Sequence, residues 1–390
     1  MYLNAAVQRL GTETAFGVLA KAKAMEAEGR SVIHLEIGQP DFPTPPNVCE
    51  AAKRAIDEGW TGYGPTCGLP EFRELIARHI SESRGIEVSP SQVVVTPGGK
   101  PIMFFALLSL VERGEEVVYP DPGFPIYRSM IDYVGGKPVP MPLVEAQDFS
   151  FELDRLKSLI SDRTKLLILN SPQNPTGGIL SRDDLKAVAE LCIERDVVIL
   201  ADEIYSRLLY QGRFESVTQF PHVLDRTIIL DGFSKTYSMT GWRLGYGILP
   251  EWLVDSFERL MVNSNSCTTT FIQRAGMEAL TGPQDAVDHM LREFLRRRDF
   301  FIERLNQIPG ISCRRPKGAF YCFANVSQFD LTSRELETYL LNEGGVACLA
   351  GDGFGAGGVG YLRFSFANSM ENLAEALKRL ADILNQVSRI

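Results

Sequence analysis

Short runs of apolar residues, each followed by a turn rich in glycine, proline or small polar residues, recur between residues 93 and 234. The runs are too short for typical helices and are apolar at nearly every position, as in strands that are buried on both faces. Stretches with helical spacing, such as 182–194, separate some of them. This alternation predicts an α/β fold with a mainly parallel sheet between helices. The apolar runs are 93–95, 116–119, 165–169, 197–200 and 227–230.

The chain has 390 residues, more than one ordinary core accommodates, so two domains are expected. The proline-rich segment 38–46 cannot form regular structure and indicates a boundary. From about residue 310 short strand-like runs alternate with helical stretches, a pattern typical of an α+β domain. We predict a large domain over 46–288 and a smaller α+β domain formed by 1–45 and 289–390.

Composition and charge narrow the class of protein. A formal net charge of −9 argues against a nucleic-acid partner. No apolar run reaches the ~20 residues that a membrane span needs, and residues 1–10 lack the pattern of a secretory signal. The seven cysteines are scattered and the four histidines show no metal-ligand spacing. We expect a cytoplasmic protein without a catalytic metal.

Residues of types that suit ligand binding or chemistry follow the apolar runs, in the turn on the carboxyl side of each run. Ligands of parallel α/β sheets bind beyond the carboxyl ends of the strands, so this clustering predicts a ligand site there. The residues concerned are Gly98, Gly99, Phe124, Asn174, Asp202, Ser234 and Lys235.

Two of these residues carry charge next to a buried run. Desolvation lowers the pKa of a lysine, and a neutral Lys235 amine can form a Schiff base with a carbonyl; an ordinary loop lysine fits this stretch as well. The Asp202 carboxylate needs a positive partner, which a protonated pyridine nitrogen would supply. Capping of a following helix is the alternative for Asp202.

Other residues suit an anion or a flat ring. Gly98 and Gly99 precede a helical stretch whose free amides favour a phosphate, although a plain strand-to-helix turn also needs flexible glycines. Ser234 and Arg243 can add a hydroxyl and a guanidinium to that phosphate. Phe124 lies in a proline-rich turn and can stack on a ring or make a core contact.

Four further segments need an interpretation. Residues 170–178 hold two prolines and three amide side chains, which favours a rigid functional loop. Arg363 has apolar neighbours on a predicted strand and needs an anion, either a substrate carboxylate or an internal salt bridge. Residues 353–358 match G-x-G-x-x-G without a following helix, so we interpret them as a flexible loop near the substrate. The charged run 291–305, which includes three arginines at 296–298, has apolar residues at helical spacing and is interpreted as a helix with a solvated face.

Four motifs occur together in this sequence: Ser-Pro-Gln-Asn-Pro-Thr-Gly at 171–177, Asp-Glu-Ile-Tyr at 202–205, Ser-Lys at 234–235 and Gly-Trp-Arg at 241–243. Their order and spacing resemble those of the class I/II aminotransferases, which are pyridoxal-phosphate enzymes of the aspartate aminotransferase fold. The resemblance runs from about residue 10 to the C-terminus. Glycines where the family often has Ser or Thr, at 98–99, and phenylalanine at 124 suit its bacterial aspartate aminotransferase-like subgroup.

The resemblance implies that Lys235 holds pyridoxal phosphate as a Schiff base and that Asp202 pairs with the ring nitrogen. Arg363 would bind the substrate α-carboxylate, helped by Asn174 and the Gly38 backbone. The family's homodimers further imply that Tyr63 reaches the phosphate in the neighbouring subunit. The other implied cofactor contacts are Gly98, Gly99, Lys100, Phe124, Asn174, Tyr205, Ser234 and Arg243.

Substrate choice follows less directly from the resemblance. In some relatives that use aspartate or glutamate, the lysine of a Gly-Gly-Lys segment contacts the distal carboxylate, and Lys100 occupies that place; a solvated lysine is the alternative. The implied function is a ping-pong aminotransferase for acidic or a broad range of L-amino acids. A pyridoxal-phosphate lyase acting at carbon–sulfur bonds and a non-catalytic regulatory module are the alternatives.

Overall fold

The computed structural model describes residues 3–388 and forms, within them, fourteen strands and thirteen α-helices. The strands are β1 (Ile33–His34), β2 (Val93–Thr96), β3 (Glu116–Asp121), β4 (Lys137–Val144), β5 (Ser150–Phe151), β6 (Thr164–Asn170), β7 (Val198–Asp202), β8 (Thr227–Gly232), β9 (Gly245–Ile248), β10 (Ser312–Cys313), β11 (Tyr321–Asn325), β12 (Val346–Ala347), β13 (Leu349–Ala350) and β14 (Tyr361–Ser365). The helices are α1 (Ala5–Gln8), α2 (Thr14–Ala27), α3 (Pro46–Asp57), α4 (Pro70–Arg84), α5 (Lys100–Leu110), α6 (Ile126–Val134), α7 (Leu153–Leu159), α8 (Arg182–Glu194), α9 (Glu251–Ser264), α10 (Thr270–Thr281), α11 (Asp285–Leu305), α12 (Ser333–Asn342) and α13 (Met370–Leu384).

The large sheet has eight strands in the order β2-β9-β8-β7-β6-β3-β4-β5. Strands β8, β7, β6, β3 and β4 are parallel, and β2 shares their direction because it pairs antiparallel with the reversed strand β9. The predicted mainly parallel sheet is therefore confirmed. All five predicted runs end at the same edge of the sheet.

Apolar packing covers both faces of the large sheet. Neighbouring residues of β7 show this, since Leu200 belongs to one core cluster and Ile199 to another. Both side chains are fully buried. Burial on both faces explains why these strands are apolar throughout instead of alternating.

A second, smaller sheet has four antiparallel strands in the order β10-β11-β14-β13. Close by, β1 pairs with β12 in parallel, with Ile33 opposite Val346. One core cluster joins residues of β1, β11, β12 and β14 with the helices α11, α12 and α13. The N-terminal strand therefore packs with the C-terminal part of the chain.

Strand β4 was not predicted, because Pro138, Pro140 and Pro142 alternate along it. Proline lacks an amide donor and is tolerated in sheets mainly where one edge is free. Here β3 pairs with residues 137–142 of β4, whereas β5 pairs only with Leu143 and Val144. The prolines therefore lie in the part of β4 with an open edge.

The interpretation of residues 296–298 as a solvated helix face was wrong for two of its three arginines. Arg297 donates a 2.7 Å hydrogen bond to Asp41 and lies 4.8 Å from the Phe42 ring centre. Arg298 donates to the Pro316 carbonyl at 3.0 Å. Their side chains are 8% and 3% exposed, because α11 packs its charged residues against neighbouring segments of the chain.

Candidate active site

A cavity of about 650 Å³ opens where β2, β3, β6, β7 and β8 end. Its opposite wall comes from the small sheet and from residues 13–16 and 37–39. Two predicted site residues do not line it: Gly98 lies behind the wall against Arg243, and Tyr63 lies elsewhere on the surface. Those that do are Gly38, Gly99, Lys100, Phe124, Asn174, Asp202, Tyr205, Ser234, Lys235, Arg243 and Arg363.

Lys235 reaches into the cavity from the turn after β8. Its Nζ donates a hydrogen bond of 2.5 Å to the Gly38 carbonyl oxygen. Burial lowers the pKa of Lys235 to about 8, and the positive charge of Arg363 acts in the same direction. The neutral amine is therefore far more populated at neutral pH than in an ordinary loop lysine, so Nζ can act as a nucleophile or a base.

Asp202 is the last residue of β7, and it is only 8% exposed. Its Oδ2 accepts a hydrogen bond of 2.6 Å from the Tyr127 hydroxyl, and its Oδ1 accepts a longer one of 3.3 Å from the Ile204 amide. Burial raises the pKa of Asp202 to about 6, against the effect of these hydrogen bonds. In the described chain no α-helix begins directly after Asp202, since the next one starts at Glu251, so helix capping does not explain it. The carboxylate suits a cation supplied from the cavity.

Gly98 and Gly99 lead from β2 into the N-terminus of α5. A Cβ at Gly98 would lie 2.2 Å from Nη2 of Arg243, so glycine leaves room for this guanidinium. Arg243 itself has a φ of +54°, which is uncommon for a residue with a side chain. Helix amides, the guanidinium and the hydroxyl of Ser234, which also lines the cavity, form a donor set that fits a phosphate.

Arg363 is 4% exposed and enters the cavity from β14. It donates 3.0 Å to Asn174 Oδ1 through Nη1 and to the Glu36 carbonyl through Nη2, while Nε has no partner. The alternative of an internal salt bridge is wrong, since no carboxylate of the described residues pairs with Arg363. A buried guanidinium without an anion is ready to receive a carboxylate from the cavity.

The loop at residues 170–178 is irregular after Asn170, as predicted, and it is also buried over most of its length. Its amides hold it in place: the Asn174 backbone donates to Asn170 Oδ1 at 2.9 Å, and Gln173 donates to the Pro122 carbonyl at 2.8 Å. The loop thereby fixes the Asn174 side chain beside Arg363.

Aromatic groups line the cavity near these polar residues. The Phe124 ring meets Tyr127 edge-on, with ring centres 5.6 Å apart. The Tyr205 and Tyr321 hydroxyls are 2.9 Å apart. The centre of the Tyr321 ring lies 4.5 Å from the Arg363 guanidinium. Tyr321 therefore contacts both Tyr205, predicted to bind the cofactor ring, and Arg363, predicted to bind the carboxylate.

Lys100 lies at the rim of the cavity. Its Nζ pairs with the Glu13 carboxylate and lies 5.6 Å from the Phe124 ring centre. The side chain is 52% exposed, so it is partly solvated and yet directed along the cavity wall. The structure therefore leaves both interpretations of Lys100 open. In the segment 353–358, Phe354 lines the cavity, so the segment lies beside the candidate site. The predicted flexible loop instead consists of two short 3-10 helices, Gly351–Phe354 and Ala356–Gly358.

Two tyrosines that line the cavity, Tyr127 and Tyr321, were not predicted. Tyr127 lies on α6 and Tyr321 on β11, where an aromatic residue among apolar neighbours is typical of a core position. Each hydroxyl forms a hydrogen bond with a residue far away in sequence, Tyr127 with Asp202 and Tyr321 with Tyr205. The only available signal was the closeness of Tyr127 to Phe124 in sequence.

A buried ionic network lies next to the ends of β7 and β8. Arg84 bonds Glu203 at 3.0 Å and Asp231 at 2.9 Å, and all three side chains are 5% exposed or less. Ser216 and Ser206 donate to the same carboxylates. Since Glu203 adjoins Asp202 and Asp231 precedes Lys235 by four residues, the network ties together the two strand ends next to Asp202 and Lys235.

The residues that the structure describes contain no group of three or more His, Cys, Asp or Glu placed to hold a metal ion. Across residues 3–388, no helix is both long and apolar enough to cross a membrane.

Comparison with known sequences assigns this chain to a protein family. Residues 30–380 match the sequence profile described as aminotransferase class I and II. The chain belongs to the class I and II aminotransferases. Enzymes of this class use pyridoxal phosphate, and the residues present fit that cofactor: an amine for its aldehyde, a buried carboxylate for its ring nitrogen and a donor set for its phosphate.

Individual aminotransferases are similar over almost the whole chain. An aspartate aminotransferase of Pyrococcus abyssi is 39% identical over 361 residues, 92% of each chain. An aromatic-amino-acid aminotransferase of Thermococcus litoralis is 38% identical over 359 residues, 91% of this chain and 92% of its own. The aspartate aminotransferase of Thermus thermophilus, solved with maleate, superposes with a TM-score of 0.94 at 35% identity, covering 98% of this chain and 100% of its own.

These similarities establish the aspartate aminotransferase fold and an aminotransferase activity for this chain. The alternatives of a lyase and of a regulatory module receive no support from the names of these relatives.

Proposed function

We propose that this aminotransferase carries pyridoxal phosphate on Lys235 and moves an amino group from an acidic or aromatic L-amino acid to a 2-oxo acid by a ping-pong mechanism. The single observation that carries the proposal is the meeting of three groups in one cavity. A lysine with a pKa lowered to about 8, a buried carboxylate and a buried guanidinium without an anion lie there together, in Lys235, Asp202 and Arg363.

The cofactor would be held at three points. Gly98, Gly99, the Lys100 amide, Ser234 and Arg243 would bind its phosphate through the donor set described above. Asp202 would meet the ring nitrogen at the opposite end. Ring contacts would come from Phe124, Asn174 and Tyr205.

When bound, pyridoxal phosphate supplies an electron sink for the bonds at the substrate Cα. The protein's own task is proton transfer and charge placement. The Lys235 amine would act as the base that moves a proton at the substrate Cα, and its lowered pKa suits proton transfer near neutral pH. Asp202 and Arg363 present fixed charges that need no reorganisation during the reaction.

Substrate binding would begin at Arg363, which would pair with the α-carboxylate, with Asn174 and the Gly38 backbone alongside. The distal group would face Lys100 at the rim. Since Glu13 neutralises Lys100 in the absence of an anion, the rim suits both acidic and uncharged side chains. The relatives named for aspartate and for aromatic amino acids support this range.

We further propose a homodimer in the cytoplasm, with the domain division at 46–288 given above. Tyr63 is 93% exposed, and Trp252 and Val262 are further large apolar residues that are exposed. A dimer that buries Tyr63 would bring it to the phosphate in the neighbouring subunit. None of the described cysteines forms a disulfide, in keeping with a reducing compartment.

Two experiments test the proposal together. Borohydride reduction of the enzyme with its cofactor, followed by peptide mapping, should place the label on Lys235; a label on another lysine would refute the proposal. Lys235→Ala should lose the label and all turnover, whereas the matched variant Lys137→Ala, at a half-exposed surface lysine, should keep both.

Substrate range is tested in a half-reaction. Each amino acid is mixed with the aldehyde form of the enzyme, and conversion to the amine form is followed by absorbance. Aspartate, glutamate and aromatic amino acids should convert stoichiometrically and stop without an acceptor. Sustained release of ammonia and a 2-oxo acid without an acceptor would instead identify a lyase.

A further inference from the structure

The side chain of Tyr127 is fully buried at the cavity wall, and its hydroxyl donates a 2.6 Å hydrogen bond to Asp202 Oδ2. The tyrosine lies on α6, whose first turn also places its ring edge-on to Phe124. This is the shortest hydrogen bond that the Asp202 carboxylate makes with a described residue. No role in the proposed function accounts for it.

Some of the contributions that act on Asp202 favour its ionised form and others favour its neutral form. Burial and the nearby Asp231 favour the neutral acid, whereas the Tyr127 hydrogen bond, the Ile204 amide and the charge of Lys235 favour the carboxylate. Tyr205 is also close enough to interact. Among these contributions, only burial outweighs the hydrogen bond from Tyr127.

We propose that Tyr127 is a positioning residue that holds the Asp202 carboxylate ionised and turned towards the ring nitrogen of the cofactor. This inference rests on the role proposed for Asp202. With Oδ2 bound by the phenol and Oδ1 by the Ile204 amide, the carboxylate plane is fixed by two donors. The remaining acceptor capacity faces the cavity.

The residue type fits this task. A phenol donates a hydrogen bond without bringing a positive charge, so it stabilises the carboxylate and leaves its charge free to attract the proton of a pyridine ring. A lysine or arginine at this place would form an ion pair and compete with the ring. Burial and the neighbouring carboxylate raise the pKa of Tyr127 well above its ordinary value, so the hydroxyl remains a donor at every working pH.

Tyr127→Phe removes the hydroxyl and keeps the ring that packs against Phe124. The matched control is Tyr210→Phe, which removes a phenol that donates to the Ala319 carbonyl outside the cavity. Both variants and the unaltered enzyme are loaded with pyridoxal phosphate carrying ¹⁵N in its ring, and the ¹⁵N chemical shift is recorded, because it separates the protonated from the unprotonated ring nitrogen.

In Tyr127→Phe, the proton equilibrium between the ring nitrogen and Asp202 should move about 10- to 100-fold towards Asp202, the range expected for the loss of one hydrogen bond to a charged group. The ¹⁵N signal should therefore shift towards the unprotonated position. The rate constant of the half-reaction with aspartate should fall with the protonated fraction, by at most the same factor, while half-saturation changes less than about threefold because Arg363 is untouched. Tyr210→Phe should match the unaltered enzyme in both measurements.

An unchanged ¹⁵N shift in folded Tyr127→Phe would overturn the proposal and leave the tyrosine a packing residue. Replacement of Tyr127 by p-aminophenylalanine, which keeps the shape with a weaker donor, should give an intermediate shift and serves as the test if the phenylalanine variant does not fold. Failure of the proposed function itself would be visible earlier, as an unprotonated ring nitrogen or an unlabelled Lys235 in the unaltered enzyme.

Discussion

Lys235 shows how a single position obtains its chemistry from its surroundings. The amine sits in the wall of the cavity, where burial and the charge of Arg363 both favour the neutral form. The Gly38 carbonyl accepts a hydrogen bond from Nζ and so directs it into the cavity. Ionisation and direction of this nitrogen are therefore set by groups that are far apart in sequence.

The pKa of Lys235 predicts how cofactor uptake depends on pH. Only the neutral amine attacks an aldehyde, so the rate at which cofactor-free protein captures pyridoxal phosphate should rise with pH and level off above about 8. Stopped-flow absorbance across pH 6 to 10 measures this. A rate that keeps rising up to pH 10 would show a lysine with an ordinary pKa.

Arg363 predicts a separation of substrate binding from cofactor binding. Arg363→Ala should raise the half-saturating concentration of aspartate about 10- to 100-fold, since a carboxylate loses its charged hydrogen-bond donor. Cofactor affinity should change little. Arg315→Ala, at a surface arginine paired with Asp299, is the control and should leave both quantities unchanged. Weaker cofactor binding with normal half-saturation would assign Arg363 another role.

Some site residues could be predicted from the sequence and others could not. Asp202 and Lys235 follow buried strands directly, so the edge of a parallel sheet brings them together whatever the loops do. The partners of Tyr127 and Tyr321 lie 75 and 116 residues away, and only the folded chain places them in contact. A hydrogen bond between distant side chains leaves no periodic signal in a sequence.

At the scale of elements, the parallel direction of β7 and β8 brings Asp202 and Lys235 to the same edge of the sheet. The apolar runs predicted five strands and their common edge, because full burial leaves little choice of composition. Strand β4 escaped prediction, since its three prolines suit a partly open edge and resemble a loop. Strand pairing depends on neighbours that the local sequence does not identify.

The ionic network at the ends of β7 and β8 predicts a large loss of stability on substitution. Arg84→Met leaves Glu203 and Asp231 buried without their cation, which should cost about 3–5 kcal/mol in the free energy of unfolding. Arg163→Met, whose arginine is 65% exposed in its pair with Glu116, should cost at most about 1 kcal/mol. Urea denaturation of both variants measures the difference.

The free energy of unfolding of Arg84→Met should also depend on pH. Burial raises the pKa of both Glu203 and Asp231, and the loss of Arg84 removes the main contribution that lowers them. The folded variant then holds a proton that the unfolded chain releases, so its stability should fall as pH rises from 5 to 8. An equal loss at both pH values would mean that the two carboxylates stay ionised.

At the scale of the whole molecule, the exposed Tyr63 predicts that catalysis depends on assembly. A homodimer of Lys235→Ala and a homodimer of Tyr63→Phe should each be impaired in both active sites. A heterodimer of the two should regain one intact site, because one cavity then combines Lys235 with the partner's Tyr63. Activity of the separated heterodimer measures this. No recovery would place Tyr63 outside the neighbouring site.

Two parts of the chain form the cavity, and different functions are proposed for them. Lys235, Asp202 and the phosphate-type donor set lie at the end of the large sheet, whereas Arg363, Tyr321 and Gly38 come from the small sheet and the N-terminal segment. Under the proposed roles, substitutions in the second part would change how the substrate carboxylate is bound and leave Lys235 and Asp202 in place. Lys100, which begins α5 of the large-sheet part, would still face the distal group of the substrate.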